Sequence, residues 1–576
     1  MLDPRVTATC WMVFSFLIKF ATAKQCTNPP PGIHKMVRGV DITRLDLVPL
    51  EDSGNDGFMS PVLNFTCDET RTWKTPEGKE YQLPDQIWHL SSHPGGWLSA
   101  DVHLYKSYDD VRKSLSAEVG LSGTLWKFAF SSSNSFKKMQ NTISNSSRYI
   151  SDLGTFESAL KAEFKPSWVV GMDVYAQKFV DNFLTGTFEA NPSGYNRFIT
   201  NFGTHYFTRG NFGGFIRDVI ETRSDYFYSR SDREVESNAK ASFLNVMSVT
   251  GSFGSSSQRV DQNFTNASTH IVRYYGGNTN LLAQNGVSEW QTTVDLDPWL
   301  FSGELKPISD LISDETKKQS MERAVENYVL RSYLGELERI VASARSKAND
   351  PVLNGLEARV IKMKSVPVLD LEDVETLSGD IQNEITAPTW FTMNTKLCFK
   401  WWATHIGTQC GGGADSLLCA TPNSMTPFYQ DNTDDRAGGC WMQWGIHSNG
   451  YPSWFEDVQI CYRWEGDKSF CGGGADNLLC SGINNFTLKY LDDTDDRKGG
   501  CIMSWKLVVP DSVPLWMKLV NLCFFWYPDG TAGQCGHASS RRLCAVANQW
   551  TEKFMDDTDD QVGGCRMSWG LKLMFQ

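Results

Sequence analysis

The chain has 576 residues, of which 41% are hydrophobic, and a formal net charge of -13. This length allows two or more domains with full cores. The acidic balance argues against a nucleic-acid-binding protein and against electrostatic capture by anionic lipid, which leaves a glycan, a neutral lipid or a partner protein as the means of targeting.

The first 23 residues predict a secretory signal peptide. The lone Arg5 precedes an apolar run, Trp11–Phe20, and a small-residue site at Ala21-Thr22-Ala23. No later stretch approaches the roughly 18 apolar residues of a spanning helix, so the mature chain is expected to be soluble and secreted. Glycosylation signals agree with secretion and predict glycans at Asn64, Asn145, Asn263, Asn266 and Asn485.

The cysteines divide the chain. Cys26 and Cys67 lie near the N-terminus and are expected to form one disulfide, and no cysteine separates Cys67 from Cys398. The middle of the chain must therefore be held together by packing. The remaining cysteines all follow residue 397 and are Cys398, Cys410, Cys419, Cys440, Cys461, Cys471, Cys480, Cys501, Cys523, Cys535, Cys544 and Cys565.

Two segments alternate apolar and polar residues over the length of a transmembrane β-strand, about 9–11 residues. The first is 117–130, with apolar positions Ala117, Val119, Leu121 and Leu125, and its alternation changes phase after Trp126. The second is 239–253, with apolar positions Ala239, Ala241, Phe243, Met247, Val249 and Phe253. Alternation alone also fits an amphipathic helix or an edge hairpin that never enters a membrane.

Between them lies the most informative stretch, Tyr195 to Gly214. It contains Phe202, Gly203, Thr204, His205 and Tyr206, followed after six residues by Gly213 and Gly214. Alternating aromatics predict a half-buried strand, and the paired glycine indicates a bulge, a bend or a close backbone approach. This arrangement resembles the signature of the membrane attack complex/perforin (MACPF) family, with Phe202 where that family usually has Tyr or Trp. We interpret His205 as a hydrogen-bonded core residue.

The resemblance implies a bent antiparallel sheet flanked by helix clusters. In the family, helix clusters at the positions of the two alternating segments unfurl into membrane-inserting β-hairpins. A strand near 271–282 fits the closing strand of that sheet, and its Gly276 and Gly277 are expected to form a second hinge. The glycosylation signals at Asn145, Asn263 and Asn266 oppose insertion, because a glycan does not readily cross a bilayer.

The chain beyond this region changes character. Residues 289–312 predict loop and turn. A helical apolar stripe predicts a helix from Asp314 to about Lys347, capped by Ser313, and Pro351 stops it. The acidic residues 366–395 predict a linker that ends the 24–365 unit, which comprises an N-terminal extension and the MACPF-like domain.

Residues 396–576 contain three copies of one cysteine-rich unit: 396–458, 459–520 and 521–576. Units this small need disulfides, and two bonds per unit is the simplest count, with three possible connectivities. Glycine pairs and short strand-like runs predict an all-β domain. Zinc is disfavoured, because the spacings are not those of CxxC pairs.

Two further features of the repeats have alternative interpretations. An acidic run in each copy, beginning at Asp431, Asp492 and Asp556, either binds calcium or is solvated at the surface; we predict no metal and no cofactor. The repeated tryptophans form either lectin-like platforms or, as we favour, packing around the disulfides: Trp401, Trp444, Trp464, Trp505, Trp526 and Trp569.

The predicted fold class is α+β: a MACPF/CDC-like bent antiparallel sheet flanked by helix clusters, then an all-β disulfide-rich domain of three repeats. The combination resembles the heavy chains of snail-egg pore-forming toxins. That resemblance implies storage in egg fluid, toxicity of an enterotoxin or neurotoxin type, and a disulfide-linked lectin light chain that delivers this chain to target-cell glycans. It also implies a homo-oligomer on membrane lipid.

Cys398, beside the linker, is our candidate for the bond to a light chain, although its repeat counterparts Cys461 and Cys523 argue otherwise. The alternative function is a non-lytic storage or binding protein that keeps the MACPF fold as a scaffold. We predict that the chain is not an enzyme, because it has no HExxH, GxSxG or Walker sequence.

Overall fold

The computed structural model describes most of the chain. The described residues are 24–51, 54, 56–75, 78–145, 148–223, 226, 230–249, 259–281, 287–403, 416–431, 440–465, 477–492, 501–528, 542–556 and 565–575. The predicted signal peptide, Phe253, Cys410, Cys471, Cys535 and most of each acidic run lie outside them.

The N-terminal part is built on one antiparallel sheet, three of whose strands are 17–19 residues long. The connected strands are β2-β1-β7-β6-β5, in which β1 and β6 pair with successive parts of one edge of β7. The strands β9 and β8 pair with successive parts of its opposite edge. A two-stranded hairpin, β3-β4, lies apart from it. The strands are β1 Arg38–Val40, β2 Phe58–Pro61, β3 Thr72–Lys74, β4 Glu80–Gln82, β5 Ile87–Tyr105, β6 Arg148–Phe164, β7 His205–Arg223, β8 Ser268–Tyr275 and β9 Trp299–Pro307.

Helices surround this sheet. They are α1 Tyr108–Glu118, α2 Asn134–Asn145, α3 Ser167–Val170, α4 Val174–Phe183, α5 Pro192–Phe202, α6 Asp232–Val249, α7 Gln262–Ala267, α8 Val287–Val294, α9 Glu315–Arg345, α10 Pro351–Ser365 and α11 Leu371–Ile385. The short helix α12 Thr389–Asn394 packs instead on the core of the C-terminal part, through Phe391. Among the described residues, none of the helices has the length and hydropathy needed to cross a bilayer. The mixed helix-and-sheet class predicted from the sequence is confirmed.

The longest helix, α9, confirms the predicted helix closely. Its apolar stripe, from Met321 to Val341, is buried against the sheet and the neighbouring helices. Asp314, one residue after the predicted cap, accepts a hydrogen bond from the Lys317 backbone N–H at 3.0 Å. This caps the first turn.

Two predictions for the connecting regions are wrong. Residues 289–312 hold most of α8 and all of β9 rather than loop alone. Residues 366–395 are mostly helical rather than a linker, because α11 buries Val374, Leu377 and Ile381 in the main core. Their spacing is that of one helix face.

The C-terminal part confirms the predicted all-β domain of three repeats, apart from the short helix α13 Leu515–Lys518. Each repeat contributes four strands, but the third strand of each pairs in the sheet of a neighbouring repeat. Thus β16 joins β13, β20 joins β17, and β12 joins β21, which closes a ring. The strands are β10 Lys396–Ala403, β11 Ser416–Ala420, β12 Tyr429–Asp431, β13 Cys440–His447, β14 Gln459–Glu465, β15 Leu478–Gly482, β16 Tyr490–Asp492, β17 Cys501–Val508, β18 Asn521–Pro528, β19 Arg542–Val546, β20 Phe554–Asp556 and β21 Cys565–Lys572.

The repeated tryptophans form the core of this ring. Trp444, Trp505 and Trp569 are each 1% exposed, and their ring centroids form a triangle with sides of 5.9–6.1 Å. Trp401, Trp464 and Trp526 are also buried. The prediction that these tryptophans pack in the core is therefore confirmed, and they do not form an exposed lectin-like platform.

The structure shows one disulfide of each repeat, whose pairing the sequence left open. The first and third cysteines of each repeat are bonded: Cys398–Cys419, Cys461–Cys480 and Cys523–Cys544, in addition to the predicted Cys26–Cys67 bond. Cys440, Cys501 and Cys565 are disulfide-bonded as well.

The proposal that Cys398 bonds a partner chain is wrong. In the ladder of β10 and β11, Cys398 lies directly opposite Cys419, with a Cα–Cα distance of 4.1 Å. Adjacent antiparallel strands thus place the two sulfur atoms together within one repeat.

Candidate functional site: a bulged sheet with two helical insertions

The signature begins where α5 leads into β7. Gly203 has a φ of +87°, and a Cβ there would lie 2.6 Å from the Val40 backbone nitrogen. Only glycine suits both conditions. Thr204 Oγ1 donates to the Val40 carbonyl at 3.0 Å and accepts from the Ile42 N–H at 3.1 Å. The signature therefore joins the start of β7 to β1.

The aromatic and histidine positions of the signature are buried. His205 is 3% exposed, its Nδ1 lies 3.0 Å from Thr204 Oγ1, and burial lowers its pKa to about 3. The ring is therefore neutral at physiological pH. The Tyr195 hydroxyl donates to the Gly186 carbonyl at 2.9 Å, while Phe202 packs edge-on against Phe179. Tyr206 is 2% exposed.

Irregular pairing crosses the sheet at one level, which we call the bulge row. The register shifts between Ser92 and Gly95 of β5, between Ser158 and Leu160 of β6, and between Asn211 and Phe212 where β7 pairs β9. Because Ser92 pairs with Leu160, and Leu160 with Phe212, these shifts lie side by side. Other register shifts occur in single ladders, but at this row they fall on adjacent strands. Because bulges bend and twist strands, the sheet departs from a flat ladder at this row.

The two glycine pairs meet at the bulge row. A Cβ on Gly213 would lie 1.9 Å from the Glu157 carbonyl oxygen, and a Cβ on Gly276 would lie 2.4 Å from the Gly213 carbonyl oxygen. A Cβ on Gly214 would lie 2.4 Å from the ring of Trp290, whose Nε1 donates to the Gly276 carbonyl at 2.8 Å. The sequence predicted both glycine pairs but not the α8 tryptophan that seals them.

Each alternating segment lies within an insertion between two neighbouring strands of this sheet. The first insertion, 106–147, joins β5 to β6, and the second, 224–267, joins β7 to β8. The strand pairs are in register up to the insertions, with Tyr105 opposite Ile150 and Thr222 opposite Ser268. Where they are described, both insertions consist of helices and the turns that join them.

The first insertion packs into the main core. Val111 and Leu115 of α1 and Phe136 of α2 are buried with Ile150 and Val219 of the sheet. A buried ion pair also ties it to α9, because Arg112 donates to Glu336 Oε1 at 2.6 Å and both side chains are at most 2% exposed. A second Arg112 donor bonds the Ala129 carbonyl.

The second insertion packs on a smaller, separate cluster. Val235, Ala239 and Phe243 of α6 are buried with Ile216 and Ile220 of β7. Neighbouring residues of a strand point to opposite faces, so Val219 and Ile220 place the two insertions on opposite sides of the sheet. The Ser242 hydroxyl lies 3.1 Å from Nε2 of His270, and Nδ1 of the same ring lies 2.7 Å from Asp218 Oδ2. His270 thus links α6 to β8 and β7.

The predicted membrane-facing residues do not share one face in this form. In the first segment Ala117 is exposed, Val119 is buried, and Leu121 and Leu125 are partly buried. In the second, Ala239, Ala241 and Phe243 are buried, while the side chains of Met247 and Val249 and all of Phe253 lie outside the description. A helical insertion thus hides much of what a strand would present to lipid.

The glycosylation signals fall on accessible residues where they are described. Asn64, Asn263, Asn266 and Asn485 are exposed. Asn263 and Asn266 lie on α7, within the second insertion. Among the described residues no group of three or more His, Cys, Asp or Glu side chains is arranged to hold a metal ion.

Comparison with known proteins agrees with this architecture. The MAC/Perforin domain model matches residues 31–334. The chain is 33% identical over 555 residues to the perivitellin-2 67 kDa subunit of Pomacea canaliculata, covering 95% of each. It is 32% identical over 575 residues to the same subunit of Pomacea maculata, covering 97% of this chain and 98% of that one.

Among solved structures, GNIP1Aa from Chromobacterium piscinae aligns with a TM-score of 0.41 and 13% identity, over 74% of this chain and 78% of that chain. The family match covers the bulged sheet and both insertions, and the match to the snail subunits extends through the repeats. The chain is therefore a member of the MAC/Perforin family.

Proposed function

We propose that the chain is the secreted, pore-forming subunit of an egg-fluid toxin, which oligomerises on target membranes and inserts hairpins from its two insertions. The observation that carries this is the position of the insertions, each between neighbouring antiparallel strands already in register. Each runs for more than forty residues, from 106 to 147 and from 224 to 267, which allows two bilayer-spanning strands of about 9–11 residues.

The test is a disulfide that holds the first insertion in place. Ser131 Oγ lies 2.6 Å from Ser332 Oγ of α9, so S131C/S332C is suitably placed for a bond. The oxidised variant is expected to bind vesicles of target-cell membrane but not to release dye from them, and reduction restores release. Electron micrographs of the same vesicles should show ring-shaped oligomers for the unlocked protein.

The matched control is a bond that leaves both insertions free. Thr222 Oγ1 and Ser268 Oγ lie 3.1 Å apart across β7 and β8, whose pairing a hairpin would keep. T222C/S268C should therefore release dye in the oxidised form. Full release by oxidised S131C/S332C would reject insertion of the first hairpin.

We further propose that a disulfide-linked lectin light chain delivers this chain to glycans. The curated relatives are described as 67 kDa subunits, which supports a partner chain. The protein purified from egg fluid should yield a second chain on a denaturing gel only after reduction. If that chain separates without reductant, the partner is not disulfide-linked.

The alternative is a non-lytic storage or binding protein of the egg. Asn263 and Asn266 favour it, since exposed signals on α7 would place glycans on a segment that must cross the bilayer. Binding to the vesicles without release at every pH tested, even by the wild-type protein, would favour this scaffold function.

A further inference from the structure

A cavity of about 200 Å³ lies between the sheet and the C-terminal end of α1, the first helix of the first insertion. Glu118, the last residue of α1, forms one side of it, and residues of β5, β6, β7 and β9 form most of the rest. The volume exceeds that of several water molecules at about 30 Å³ each. It can therefore accommodate a compact organic group.

The cavity has an apolar wall of three phenylalanine rings. Phe156 of β6 stacks on Phe301 of β9 with centroids 5.1 Å apart, and Phe215 of β7 stacks on the same ring at 5.7 Å. The faces of aromatic rings carry negative charge density and attract cations.

Negative charge around the cavity exceeds positive charge. Glu118 is within electrostatic range of Arg217, Asp152 and Asp46, and Arg217 is the one cationic side chain in the described lining. The guanidinium of Arg217 already has hydrogen-bond partners, because its Nε donates to Asp152 Oδ1 at 2.9 Å and its Nη1 donates to the Val48 carbonyl at 2.6 Å. Among the described residues the Glu118 carboxylate forms no direct ion pair, and Arg217, the cation that acts on it, is paired with Asp152.

The position of Glu118 at the end of α1 adds to the excess of negative charge. As the last residue of α1 it lies at the negative end of the helix dipole. Burial raises its pKa to about 7, which the neighbouring Asp152 and Asp46 reinforce and Arg217 opposes. His103 and Tyr105, whose hydroxyl donates to Asp152, are the other titratable residues nearby.

We propose that this cavity binds a small organic ammonium ion, with Glu118 as its counter-charge and the three phenylalanine rings as its wall. Binding would bridge the first insertion and the sheet. A ligand that prefers the docked arrangement stabilises it, and the stabilisation grows with the logarithm of ligand concentration above the dissociation constant. If the proposed pore function holds, the ion must leave before the first insertion is released.

The direct test is calorimetric titration of the full protein with tetramethylammonium chloride at about pH 8, where Glu118 is ionised. Wild-type protein and Glu322→Gln, which removes an exposed carboxylate of α9, should bind equally. Glu118→Gln should bind about tenfold more weakly or not at all. Phe156→Leu, which keeps the wall apolar but removes a ring, should also weaken binding.

Two further measurements separate this site from general salt or apolar effects. Wild-type affinity should fall between about pH 8 and pH 5 as Glu118 takes up a proton, whereas the weak binding by E118Q should not change. Neither tert-butanol, which is apolar but uncharged, nor potassium chloride, which supplies an inorganic cation, should give a comparable calorimetric signal. Undetectable binding by the wild type, or equal binding by E118Q, would overturn the proposal.

The regulatory consequence rests on the proposed pore function and is tested separately. Saturating tetramethylammonium should slow dye release by wild-type protein but not by E118Q. Binding without an effect on release would leave the ligand site in place and remove its regulatory role. A protein that binds the ion and never releases dye would instead contradict the pore function.

Discussion

At the scale of single residues, the bulge row is specified by atoms that leave no room for a side chain. Gly213 faces a backbone carbonyl of β6, and Gly214 faces the ring of Trp290. Neither neighbour is the end of a flexible side chain that can move aside. These glycines are therefore a packing requirement of the sheet.

Replacing Gly213 by alanine should destabilise the protein by more than about 3 kcal/mol, because a backbone carbonyl must shift. The control is Gly335→Ala in α9, where a Cβ meets nothing within 4 Å. This change should stabilise α9 by up to about 1 kcal/mol. The midpoint of thermal unfolding measures both, and similar midpoints for the two variants would contradict the packing argument.

His205 should make the fold sensitive to acid. Burial lowers its pKa to about 3, so between about pH 6.5 and pH 3 the unfolded chain binds a proton that the folded chain does not. Stability is therefore lost as the pH falls through this window. In His205→Gln, the midpoint of thermal unfolding should drop less between about pH 7 and pH 5 than in wild type. His89→Gln, at an exposed position, should behave as wild type does.

The sequence predicts the glycines and His205 because the signature is local. It does not predict Trp290, because the contacts that bring α8 onto Gly214 and Gly276 exist only after the sheet forms. For the same reason it misses Arg112 and Glu336, which meet from distant parts of the chain.

At the scale of elements, the Arg112–Glu336 pair holds the first insertion on α9. Removing one partner leaves an uncompensated buried charge, so Arg112→Ala should cost roughly 3–5 kcal/mol. Hydrogen exchange should accelerate in 108–145 more than in α6. The apolar replacement R112M/E336L should restore protection. Equal acceleration in α6 would mean that the pair supports the whole fold rather than this insertion.

The helices differ in how far their sequences predict them. The stripe of α9 continues through many turns and predicts the helix nearly to the residue. In α11 the acidic residues that indicated a linker are its cap, Asp370, and its first turn, Glu372 and Asp373. Acidic residues favour the N-terminal end of a helix, so the same residues carry either meaning until the buried face is known.

At the scale of the whole molecule, the exchanged strands make the repeats interdependent. A chain ending at residue 520 lacks β21, the partner of β12, and β20, the partner of β17. Its two remaining repeats should lose their near-ultraviolet circular dichroism and become sensitive to protease. C523S/C544S, which keeps all strands, should retain both properties far better. A protease-resistant 396–520 fragment would show that each repeat folds alone.

The cysteine spacing predicts three repeats and their class, because each copy carries its own signals. It does not predict the exchange of strands. β12, β16 and β20 are three residues each, and nothing within such a short strand specifies which neighbour it joins. Their pairing follows from closure of the ring, which is a property of all three copies together.

The placement of the two insertions on opposite faces has a consequence for timing. In the proposed release, the second insertion would leave only a small cluster of its own, whereas the first would leave the main core and break a buried ion pair. If the proposed pore function holds, the two insertions should therefore be released in separate steps, and the second insertion should move first. A molecule in which only the second insertion had been released would expose one apolar face of its sheet. It would be prone to aggregate unless another subunit covered that face.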